Sequence, residues 1–164
     1  MWANHDWLDI HPAQRSRPCN ALAKGAVSME QFRDATDYII EKYFAKPNYW
    51  RVSGGLYFSI YELMSLIQGL GGLDETKTAL DDFRARVAKA GLGKLHLNAV
   101  VWGLQILPGE KRIDKPEQLV EALGLDSVTS YVWVHHQALK SFPTVEYADY
   151  AKANLADFAR FTDK

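Results

Sequence analysis

Asp6 and Glu62 each follow directly on a short β-type run, in Trp2-Ala-Asn-His-Asp-Trp7 and Leu56-Tyr-Phe-Ser-Ile-Tyr-Glu62. Two more runs end in the same manner. Leu95-His-Leu-Asn-Ala-Val-Val-Trp102 closes on an indole, and Thr129-Ser-Tyr-Val-Trp-Val-His-His136 closes on two imidazoles. In α/β folds the groups at the carboxyl ends of parallel strands converge on one face, where ligands bind. Four endings rich in Trp, His, Asp and Glu therefore predict a polar pocket with aromatic walls. Such a pocket suits a sugar, because ring faces stack on C–H surfaces while polar side chains take the hydroxyls.

The residue types suggest roles. Glycoside cleavage needs one group to protonate the leaving oxygen and another to act as base or nucleophile. Glu62 is the candidate acid: a carboxyl set against rings such as Tyr61 or Trp102 is short of water, which favours its neutral form. Asp6 is the candidate partner, and Asn4 and His5 beside it are suited to binding hydroxyls. Trp7 and Trp102 are candidate stacking platforms, with Tyr61 as a further wall. His135 and His136 are adjacent on a strand end, so only one should face the pocket.

Plainer readings stand beside these. Glu62 also fits the first turn of a helix, where the macrodipole favours negative charge, and Asp6 fits an Asx turn closing a strand. A metal held by His5, Asp6 and His135 or His136 is a third reading, but the spacing matches no local zinc signature. Gly71-Gly72 is no phosphate loop, since neither GxxxxGK[ST] nor GxGxxG is present. No metal or cofactor is predicted. Trp50 and Trp133 read as packing residues, Glu110 as a solvated turn, and Lys77, Arg84, Arg86 and Lys89 as a solvated helix face.

The elements that must position these groups read as four consecutive βα units. The first is a strand stub, Trp2 to Asn4, followed by a loop with His11, Pro12, Arg15, Arg17 and Pro18. Ser28 and Gln31 then make a capping box, and Phe32, Ala35, Ile39, Ile40, Tyr43 and Phe44 share a helical face that Pro47 closes. The second unit starts at the Gly54-Gly55 turn, with a strand over Leu56 to Tyr61 and a short helix around Leu63 to Leu70. Asp74 is read as the cap of a helix carrying Leu80, Phe83 and Val87, stopped at Gly91. The third unit is a strand over Leu95 to Trp102 and a helix capped by Asp114 and Glu117. Its inward residues are Leu119, Val120 and Leu123, and Gly124 ends it. The fourth is a strand over Thr129 to Val134 and a helix opened by Thr144, with Tyr147, Tyr150, Ala151, Phe158 and Phe161 on its apolar face. His96 and Asn98 put polar groups on one face of the third strand.

Alternating β and α elements imply a parallel sheet with right-handed crossovers. The length of 164 residues falls short of the roughly 250 of a complete barrel. Residues 1–164 therefore read as a single partial domain of class α/β, a central slice of a (β/α)8 (TIM) barrel. The open sheet edges of such a slice predict self-association. A net charge of −1 gives no electrostatic case for nucleic acid or an anionic membrane. No apolar stretch approaches the roughly 20 residues of a membrane span. The N-terminus lacks a secretion signal, and the single Cys19 has no partner for an internal disulfide. The compartment is not assigned.

Four segments together carry a family likeness: Trp2-Ala-Asn-His-Asp-Trp7, Pro47-Asn-Tyr-Trp-Arg-Val-Ser-Gly-Gly-Leu-Tyr-Phe-Ser-Ile-Tyr-Glu62, Phe83-Arg-Ala-Arg-Val-Ala-Lys-Ala-Gly-Leu92 and Tyr131-Val-Trp-Val-His-His136. In order and spacing they resemble the glycoside hydrolase family 99-like domain, the group that includes WbsX-like polysaccharide-biosynthesis proteins. The likeness spans roughly Trp2 to Tyr150 and corresponds to the middle of the family's domain. It implies a (β/α)8 barrel acting on an oligosaccharide or polysaccharide. Family 99 enzymes proper use two glutamates in one loop, whereas here Tyr61-Glu62 offers a single carboxylate, so neither that pair nor mannose specificity is carried over. The expected function is glycan processing, by hydrolysis of a glycosidic bond. The alternatives are a non-catalytic carbohydrate-binding or polysaccharide-assembly domain and a metal-assisted hydrolase.

Overall fold

A computed structural model describes residues 1–14, 20–101, 115–141 and 144–162 of the chain. Its centre is a mixed four-stranded sheet with helices packed on one face. In chain order the elements are β1 (Trp7–Leu8), β2 (Ala21–Ala23), α1 (Met29–Ile39), β3 (Arg51–Val52), β4 (Gly55–Ile60), α2 (Leu63–Leu70), α3 (Leu73–Lys89), β5 (Leu95–Val101), α4 (Pro116–Leu123), β6 (Ser127–Ser130) and α5 (Tyr147–Thr162). A π turn over Ile40–Phe44 continues α1, and 3-10 turns cover Pro12–Gln14 and Trp133–His135.

The sheet order is β3-β4-β5-β6, and β4, β5 and β6 run parallel in consecutive register. Trp2 forms a parallel bridge to Ile60. Its N–H donates to Ser59 O at 2.7 Å, and its carbonyl accepts from Tyr61 N–H at 3.0 Å. The N-terminal strand stub thus sits on the edge of β4 that β5 leaves open. Expected parallel pairing holds along this row, but two antiparallel pairs were not expected. Ser53 and Gly54 both have positive φ, 49° and 79°, so the chain reverses tightly and β3 pairs back onto β4. Separately, β1 pairs with β2.

Strict alternation divides the sheet. Leu56, Phe58 and Ile60 of β4 and Leu95, Leu97, Ala99 and Val101 of β5 are buried with side chains from α1 to α4. Phe83 of α3 is the hub: its ring lies 6.1 Å from Phe32, 5.8 Å from Phe44 and 5.4 Å from Phe58. Each such ring taken from water contributes about 1.5–3 kcal/mol. The opposite face carries a polar row beside Tyr57 and the buried pair Tyr61 and Val100. Ser59 Oγ donates to Asn98 Oδ1 at 2.8 Å, Asn98 Nδ2 donates to Ser127 Oγ at 2.9 Å, and His96 Nε2 lies 2.8 Å from the same hydroxyl. The polar alternation expected at His96 and Asn98 is therefore a hydrogen-bonded row across three strands.

At α1 Ser28 and Gln31 form the reciprocal capping box expected of them. α2 falls where expected, and Gly71 and Gly72, with φ of 104° and 146°, turn it sharply into α3. Several details differ. Gly72, not Asp74, occupies the cap of α3, and Asp74 lies in its first turn. The π turn adds a residue to the α1 register, so Phe44 is buried while Tyr43 faces outward. Lys115 is the cap residue of α4; Asp114 lies outside the described residues. The strand expected over Thr129 to Val134 ends at Ser130, and Tyr147 of α5 is exposed. Trp50 is also exposed, packed over Tyr57 with ring centroids 4.4 Å apart.

Arg84 and Arg86 are structural rather than solvated. Arg84 reaches Gly124 O and Asp126. Arg86 binds Asp82, Asp37 and Thr36, with its guanidinium 5.6 Å from the centre of the Phe83 ring, and so ties α3 to α1.

Candidate functional site

Glu62 is positioned by a long-range clamp. Asn4 is buried, and its side chain grips the backbone of Glu62 from both sides. Asn4 Nδ2 donates to Glu62 O, and Glu62 N–H donates to Asn4 Oδ1, each at 2.8 Å. The carboxamide imitates a peptide group and extends the Trp2–Ile60 pairing past the end of β4. Asn4 is thus a clamp rather than a free hydroxyl-binding group. Alanine here leaves the buried Glu62 N–H without this acceptor, which should lower stability by about 2 kcal/mol, seen as a lower denaturant midpoint with unchanged slope.

The clamp sets Glu62 at the junction of β4 and α2, with only 1 % of its surface exposed. Around this strand end the rings form a continuous line. His5 stacks on Trp7 at 6.1 Å and meets Tyr61 edge-on at 5.7 Å. Tyr61 meets Tyr131 edge-on at 5.2 Å, and Tyr131 lies 6.1 Å from His135. Trp7 and Tyr131 are open to solvent at 65 % and 53 %, whereas Tyr61 and His135 are buried. The line thus presents an exposed aromatic platform at two points, with His5, Tyr61 and His135 filling in behind.

Asp6 is differently engaged. Its Oδ1 accepts from Gly25 N–H at 2.8 Å and its Oδ2 from Lys24 Nζ at 3.2 Å. These bonds fasten the N-terminal segment to the chain just after β2, across the fold and not within a local Asx turn. Trp102 and Glu110 lie outside the described residues.

His135 and His136 diverge as expected, though from a 3-10 turn and not from a strand. His135 joins the aromatic line. His136 Nε2 lies 2.6 Å from Ser130 Oγ, and its Nδ1 lies 3.0 Å from Asp157 Oδ2. Sequence reasoning missed both partners. Ser130 lies inside the β-type run expected over Thr129 to Val134, and only the early end of β6 at Ser130 brings it to the turn that holds His136, whereas nothing local marks Asp157 on α5.

Among the described residues, no three His, Cys, Asp or Glu side chains are grouped as a metal ion would require. The set His5, Asp6 and His135 or His136 does not gather, because Asp6 turns to Lys24 and His136 to Asp157. Among those residues, too, no helix is long and apolar enough to cross a membrane. No protein-family model, curated protein or solved structure matches this chain.

Proposed function

We propose that this chain is the central part of a glycan-processing (β/α)8 barrel of the glycoside hydrolase family 99-like kind, with its sugar site at the carboxyl ends of the strands. The observation that carries the reading is the ring line Trp7–His5–Tyr61–Tyr131–His135 beside buried Glu62. Exposed rings backed by polar groups suit the alternating C–H and O–H surface of a sugar. The parallel row from Trp2 through β6, with helices against one face and a polar row on the other, is in keeping with a barrel segment. In this reading Glu62 is the acid and Asp6 its charged partner.

The non-catalytic alternative draws support from one specific feature, the engagement of both Asp6 oxygens by Lys24 and Gly25. Both readings need the same sugar surface, so binding is tested first. Titration with neutral oligosaccharides, followed by NMR, should shift the Trp7, Tyr131 and His5 ring signals together. Trp7→Ala should weaken binding about tenfold, the value of one aromatic contact of roughly 1.4 kcal/mol. Sugars that leave these rings unmoved, or that bind Trp7→Ala equally well, would refute the site.

A further inference from the structure

Ser130, His136 and Asp157 form a linear hydrogen-bonded relay built from three separate parts of the chain: the end of β6, the turn after it, and α5. Side-chain chemistry fixes the direction of that relay. A carboxylate only accepts, so the contact between Asp157 Oδ2 and His136 Nδ1 places the ring proton on Nδ1. In the neutral ring Nε2 then carries the lone pair, and it accepts the Ser130 hydroxyl proton across 2.6 Å. The imidazole is 2 % exposed and the Asp157 side chain 10 %. Phe158 closes over the ring edge-on at 6.0 Å. The base and its orienting group are therefore screened from water, while Ser130 is only partly buried, beside exposed Tyr131.

We propose that this relay is a second reactive centre, in which Ser130 is a nucleophile for acyl transfer from carboxylic esters. His136 is the catalytic base, and Asp157 is a positioning residue that holds its tautomer. Ser130 Oγ bonds to the ester carbonyl carbon as its proton passes to His136 Nε2. The carbon–oxygen bond to the alcohol then breaks, and the leaving oxygen takes that proton. A water molecule repeats the sequence: it gives a proton to Nε2 and its oxygen bonds to the acyl carbon. The bond to Ser130 Oγ breaks, and the serine recovers the proton. The net change is ester plus water to acid plus alcohol. This centre is independent of the sugar reading. Residues 127 and 129 of β6 share the polar sheet face and Tyr131 meets Tyr61, whereas Ser130 falls on the other side, toward α5.

The test is reaction of the whole chain with an alkyl fluorophosphonate, mapped by peptide mass spectrometry, alongside turnover of p-nitrophenyl acetate. The wild-type chain should carry the adduct on Ser130, a result that needs no variant. His136→Gln should slow labelling and turnover by at least about a hundredfold, the usual worth of a positioned base. Asp157→Asn should slow both by a similar factor with an unchanged melting midpoint, and nitrogen chemical shifts should show the His136 proton moved from Nδ1. The proposal is overturned if Ser130 stays unlabelled in the folded wild type, if the adduct sits elsewhere, or if His136→Gln reacts at the wild-type rate.

Discussion

Gly25→Ala should unseat the N-terminal segment and lower stability by about 3 kcal/mol or more, beyond the usual range for overpacking. A Cβ at position 25 would meet Asn4 O at 2.1 Å and the carbonyl carbon of His5 at 2.5 Å. These are backbone atoms, so no rotamer change relieves the overlap. The segment cannot yield freely either. Trp2 is hydrogen-bonded to both sides of Ile60, Asn4 grips Glu62, and Asp6 holds Gly25 itself. For a chain of this size the melting midpoint should fall by on the order of 10 °C. Gly54→Ala is the control: its Cβ meets nothing within 4 Å, so only the left-handed backbone at φ 79° is penalised, at about 1–2 kcal/mol. Equal losses in the two variants would show that the close approach at Gly25 is not what holds the segment.

Local signals decide which parts of the fold were legible in the sequence. β4, β5, α1 and α2 were readable because their signals are local: alternation of apolar residues, a capping box, and glycines at corners. β1, β2 and β3 are two or three residues long and offer no period to read. β1 and β2 are held by pairing across an intervening loop, and β3 by a turn whose first residue, Ser53, adopts a left-handed conformation that the sequence does not advertise. The π turn was hidden for a related reason. A uniform 3.6-residue period puts Tyr43 and Phe44 on one face, and only the packing of Phe44 against Phe83 chooses between them.

The site was legible where strand ends determine it and obscure where long-range partners do. His5, Tyr61, Tyr131 and His135 come together because the Trp2 stub pairs beside the end of β4 and Tyr131 follows directly on β6. The fate of Asp6 depended on Lys24 and Gly25, some twenty residues away, and that of His136 on Asp157 in another element. Residue type alone suggested chemistry for all of them. The distinction between a carboxylate open to substrate and one already satisfied by a lysine and an amide needs the folded chain.

Glu62→Gln separates the catalytic reading from the binding one most sharply. Glutamine keeps the size of the side chain and can donate a hydrogen bond from its own amide, but it cannot transfer a proton. If Glu62 is the acid of the proposed barrel, the variant should lose about 10²–10⁴ in the rate of cleaving a natural glycosidic bond, measured on the domain with its flanking strands. An aryl glycoside whose phenolate leaves without protonation should be nearly spared, since its departure does not call on the acid. A large loss on both substrates would instead make Glu62 the base or nucleophile and leave the acid to be sought elsewhere. Undiminished cleavage of both would remove Glu62 from the chemistry. Cleavage by neither wild type nor variant, together with sugar binding at Trp7 and Tyr131, would establish the non-catalytic reading, in which Asp6 serves only to hold Lys24 and Gly25.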